Sequence, residues 1–133
     1  MPTKLLPNTH RNHPANAQAA IEQHQRKALW LSQQREAILE PDLPIIDAHH
    51  HMWVRPGSRY FLEDFLAEAQ SGHNIKASVF VECGSFYRKN ATALMAPVGE
   101  VEFANGAAAM AASSTYNSTL VGAGIVGTAD ISV

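Results

Sequence analysis

An α/β fold built on a parallel sheet is what the sequence predicts, and three observations carry that prediction. Apolar, strand-like runs occupy 44–51, 75–82 and 120–126. The two intervals between them hold helical patterns, 58–72 and 98–112, long enough for the crossovers that parallel strands require. Turn formers punctuate the first interval: Pro56-Gly57-Ser58 at its start and Gly72 at its end. The chain has 133 residues, 46% of them hydrophobic and 17% charged, enough for one modest core.

Taken in order, residues 1–13 are polar, hold two prolines and lack periodicity, so a disordered leader is expected. Pro14 suits a helix start, and the following stretch to about Leu39 is rich in Ala, Gln, Arg, Glu and Leu. Ala17, Ile21, Ala28, Leu31 and Ile38 share one face of that helix, and Glu22 and Arg26 form an i,i+4 pair. Glu40 precedes Pro41, which closes this N-terminal segment at 14–40. Its place is expected to be the outside of the following domain, 41–133.

The first strand ends in Asp47-Ala-His49-His50-His51. In the second interval Ser58 is the expected helix cap, and Leu62, Phe65, Leu66 and Ala69 give the helix an apolar stripe before Gly72. Strand two covers 75–82. An alanine-rich helix runs from Val98 to about Ala112, as suits packing on a sheet. Strand three is Leu120–Val126, where Gly122 and Gly124 allow close backbone approach.

The chemistry concentrates at 45–53, Ile-Ile-Asp-Ala-His-His-His-Met-Trp. Side chains alternate along a strand, so His49 and His51 are expected on one side with Asp47, and His50 on the other. Two imidazoles so placed can meet at one divalent metal such as zinc. The competing reading is an exposed polar cluster with no ligand duty. His10, His13 and His24 read as solvated residues.

Ile-Asp-Ala-His-His-His-Met-Trp also resembles the first-strand signature of the amidohydrolase superfamily. More narrowly, the chain resembles the amidohydrolase-related branch of metal-dependent TIM-barrel hydrolases that includes pyrone-dicarboxylate lactonases. The likeness continues through Val-Phe-Val-Glu-Cys-Gly-Ser-Phe-Tyr-Arg (79–88), Pro-Val-Gly-Glu-Val-Glu-Phe-Ala-Asn-Gly (97–106) and Gly-Ala-Gly-Ile-Val-Gly-Thr-Ala-Asp (122–130). It covers about residues 36 to 133 in register. It implies a partial TIM (β/α)8 barrel: the first three βα units, preceded by the N-terminal helix. A complete barrel of this kind needs about 250 residues, so the chain is expected to be an N-terminal fragment, inactive alone.

The resemblance also implies that His49 and His51 hold a divalent metal, zinc being expected, although some lactonases of this branch work without a tightly held ion. Further ligands and a base aspartate would come from later strands. The implied reaction is hydrolysis of a lactone, ester or amide by a metal-activated water. A decarboxylase or hydratase of the same superfamily, or an inactive truncated protein, are the alternatives.

Barrel chemistry sits at the C-terminal ends of strands. Asp47 and Glu82 are therefore candidate catalytic groups, each also readable as a plain strand-end carboxylate. Arg88 and Thr128 are candidate substrate contacts. Thr128 departs from the branch, where a histidine often follows Gly-Ile-Val-Gly. Gly124-Ile-Val-Gly127 lacks the spacing of a phosphate loop. Cys83 has no evident activating base and reads as structural.

A net charge of −2, with no basic stripe, argues against nucleic-acid binding and leaves a small-molecule substrate as the expected partner. Apolar runs fall short of the ~20 residues of a membrane span, and the N-terminus lacks a signal-peptide core. A lone cysteine permits no internal disulfide, so a cytoplasmic location is expected. Nothing in the sequence sets the oligomeric state.

Overall fold

The computed structural model describes residues 14–34, 36–113, 115–116 and 118–130; the leader expected at 1–13 lies outside them. The chain is mixed α/β. In order it runs α1 (Pro14–Ser32), β1 (Pro44–His50), β2 (Trp53–Arg55), β3 (Ser58–Tyr60), α2 (Leu62–Ala69), β4 (Asn74–Val81), α3 (Val98–Ala111) and β5 (Leu120–Val126). It divides into two compact units. One comprises Met1–Glu36 with Arg55–Ser58, and the other Ala37–Val54 with Arg59–Val133.

In the first unit, α1 ends seven residues before the expected Leu39. The Ser32 hydroxyl donates back to the Leu29 carbonyl at 2.8 Å, and the Gln33 N–H closes a tight turn onto Trp30 O at 3.2 Å. Both bonds draw on carbonyls that a continuing helix needs for its i→i+4 ladder. The expected apolar face is not a buried stripe: Leu31 is 54% exposed, and Ile38 falls outside the helix. Glu22 accepts at 3.1 Å from the Gln18 amide one turn before it, whereas the expected Arg26 partner lies one turn after it.

The second unit is organised by a three-stranded parallel sheet in the order β1-β4-β5, as the alternation of strands and helices predicts. The core lies on one side of it. Leu62, Phe65, Leu66 and Ala69 of α2 and Ala104, Ala107 and Ala111 of α3 pack with Phe80, Val121 and Met52. The α2 stripe is the one its spacing predicts. On β4, Ser78 and Phe80 are buried while Ala77, Val79 and Val81 are half-buried, the alternation of a sheet with one face covered.

Two features were not expected. Residues 53–60 form a short hairpin, β2–β3, turned by Pro56-Gly57, where Gly57 takes φ +75°. Trp53 and Tyr60 stack across it at 4.9 Å. Ser58 therefore lies in a strand, and Phe61 takes the N-cap position of α2. The Asp64 carboxylate instead reaches back to the Phe61 N–H at 2.8 Å, satisfying one donor at the start of α2. The second feature is a bulge in β1, where Asp47 to His50 spans three steps opposite the two from Ser78 to Phe80. Among the described residues, no helix is long and apolar enough to cross a membrane.

Candidate functional site

The triple histidine sits where β1 ends, beside the C-terminal end of β4. His49 and His51 converge: their Nε2 atoms lie 3.2 Å apart, with rings edge-to-face at 4.8 Å. His50 turns the opposite way, into the core. It is 7% exposed, with its ring 4.4 Å from Phe65 and 5.7 Å from Phe80. The β1 bulge falls between Asp47 and His50, within this stretch; such irregularities are common near sites.

Hydrogen bonds to carbonyls fix the tautomers, because a carbonyl only accepts. His51 Nδ1 lies 2.7 Å from Val81 O, so Nδ1 carries the proton and Nε2 presents its lone pair toward His49. His50 Nδ1 likewise donates to Val79 O at 3.1 Å. Its Nε2 is buried without a partner among the described residues. Burial pushes the His50 pKa below its ordinary value, with the Asp47 charge acting against it.

The two converging imidazoles fit a divalent ion. Two nitrogens bound tetrahedrally at ~2.0–2.1 Å to one zinc sit about 3.3 Å apart, and the observed separation is 3.2 Å. The carbonyl bond to the far ring nitrogen of His51 is the usual way a ligating histidine is oriented. Asp47 does not join the pair as expected. Its carboxylate folds back onto the His49 N–H at 3.1 Å, and among the described residues no three His, Cys, Asp or Glu side chains form a group that could hold a metal.

The remaining candidates lie around the ends of β4 and β5. Glu82 accepts from the Thr128 hydroxyl at 3.1 Å and from Tyr87 at 3.3 Å, while its N–H bonds Val126 O at 2.9 Å. Burial first, and then the Glu82 charge, raise the Tyr87 hydroxyl pKa. Arg88, considered for a substrate carboxylate, spends its guanidinium on Glu102: Nε donates at 2.9 Å, and a second nitrogen bonds the other oxygen. A solvent-open hollow beside it is lined by Arg88, Lys89, Asn90, Ala91, Thr92 and Met95, with no histidine among them.

Sequence reasoning missed Glu100. This carboxylate is 0% exposed and accepts three successive backbone N–H groups, from Cys83 at 3.0 Å, Gly84 at 2.9 Å and Ser85 at 3.2 Å. The signal was present, since Glu100 shares the 100-104-107-111 spacing of the buried face of α3. Comparison with protein-family models, with curated proteins and with solved structures returns no match for this chain.

Proposed function

We propose that the chain supplies the first three βα units of a metal-dependent hydrolase with a TIM-barrel architecture, acting on a lactone, ester or amide. One observation carries the reading: two neighbouring imidazoles present Nε2 atoms at 3.2 Å at the C-terminal end of a parallel strand. The likeness of 45–53 to the amidohydrolase first strand supports it, as does the order of strands in the sheet.

In this reading His49 and His51 hold the ion, zinc fitting the donor set, and further ligands come from other strands. A bound divalent ion supplies Lewis acidity, polarising a carbonyl and lowering the pKa of water. The chain's own residues then have separable tasks. Val81 C=O keeps His51 in its ligating tautomer. Glu82, with its two hydroxyl donors, holds a carboxylate at the same end of the sheet for a substrate donor or a proton. Arg88 becomes available to a substrate carboxylate only by leaving Glu102.

The test is product analysis with the protein encoded by the whole reading frame around these residues. Loaded with zinc, it should open a lactone or cleave an ester or amide, and His49→Ala or His51→Ala should abolish turnover. Release of carbon dioxide without hydrolysis would point to a decarboxylase instead. Full activity in the His49→Ala/His51→Ala double variant would sink the proposal.

A further inference from the structure

We infer that Glu100 is a positioning residue for the His49–His51 pair, acting through the backbone that follows β4; the inference rests on the metal reading above. Beyond Val81 the chain leaves the sheet, and residues 83–85 have three N–H groups to satisfy. The Glu100 carboxylate takes all three: Oε1 accepts from Cys83 and Ser85, and Oε2 from Gly84. Gly84 at φ +75° bends the chain so that the successive donors converge on one anion. Bonds to a carboxylate are stronger than neutral ones, and this one is fully shielded from water.

The clamped segment directly follows the strand end that orients His51. Val81 C=O, two residues before Cys83, receives the His51 Nδ1 proton. On the other side, the Cys83 thiol lies 3.3 Å from the carbonyl of Met52, the residue after His51. The 81–85 segment thus touches His51 through its ring and through the adjoining backbone, with Glu100 holding the segment. If it loosens, the Val81 carbonyl withdraws and the His51 proton redistributes between ring nitrogens. A proton on Nε2 removes the lone pair a metal needs.

Glu100→Gln keeps the shape but places an NH2 group against one of the three donors, leaving an N–H facing an N–H. Long-range proton–nitrogen NMR on the metal-free chain at about pH 8, above the ordinary histidine range, reads the tautomer directly. In the parent chain His51 should be protonated at Nδ1 alone. In Glu100→Gln a substantial share should move to Nε2, and zinc affinity should fall ~10–100-fold, the usual loss when a group supporting a ligand is removed. Glu102→Gln, an exposed neighbour on α3, should change neither.

If Glu100→Gln gives no dispersed amide spectrum, Glu100→Asp replaces it, retaining the charge but drawing the acceptor back by one methylene. The same tautomer change is expected. A folded variant with His51 still wholly Nδ1-protonated and zinc affinity unchanged overturns the inference. If the parent chain takes up no zinc, the metal reading fails, while the tautomer comparison still decides whether Glu100 positions His51.

Discussion

His50 and its two neighbours are the same residue type in consecutive positions, yet they occupy opposite environments. His49 and His51 meet ring to ring at the sheet's end, and one presents a lone pair to the other. His50 is wedged between Phe65 and Phe80, with one ring nitrogen bonded to Val79 O and the other without a partner among the described residues. Alternation of side chains along the strand thus gives one chemical group two environments. One side brings two imidazoles together at the sheet's end, and the other fills a core while burying a polar atom that has no partner among the described residues.

Substitutions at the converging pair are expected to have the largest effect. His49→Ala or His51→Ala should lower zinc affinity by more than ~100-fold, beyond the ~10–100-fold typical of supporting residues, as titration calorimetry would measure. His50→Ala should leave zinc uptake intact but destabilise the fold by about 2–4 kcal/mol, in line with other large-to-small core changes. Urea unfolding checks this. An unchanged midpoint would mean the ring is not part of the core.

The pH dependence sharpens the same contrast in the metal-free chain. The folded-state pKa of His50 is held below its ordinary 6.5 by burial. The unfolded chain then binds the proton first as pH falls. Stability from this residue is complete above about 6.5 and declines as pH drops from there toward the lowered folded value. His50→Phe keeps an aromatic ring, removes the orphan nitrogen and should flatten that part of the profile. Arg88→Gln should have the smallest effect, with no measurable change in the unfolding midpoint, because its pairing with Glu102 is solvent-exposed.

How far the sequence was legible follows from the length of each signal. The three sheet strands rest on apolar runs, α3 on a long alanine-rich stretch and the stripe of α2 on helical spacing, and each appears within a residue of where the sequence places it. The β2–β3 hairpin escaped because three-residue strands carry no period, and its Pro-Gly turn also suits the approach to a helix. The end of α1 escaped because helix-forming residues continue past Ser32, while a side-chain-to-backbone bond decides where it stops. Convergence of His49 and His51 was legible from strand alternation. The turning back of Asp47 was not, since a bulge is a register fact between two strands. Glu100 was hidden by its charge: a carboxylate reads as surface until three backbone donors are seen to surround it.

His49 and His51, and not His50, are expected to hold one divalent ion jointly. X-ray absorption at the zinc edge, on the chain loaded with one equivalent, tests this most directly. The predicted spectrum shows two imidazole nitrogens at ~2.0–2.1 Å, retained in His50→Ala and reduced to one in His49→Ala or His51→Ala. A spectrum with no imidazole scattering, or one that loses an imidazole on replacing His50, would contradict the claim.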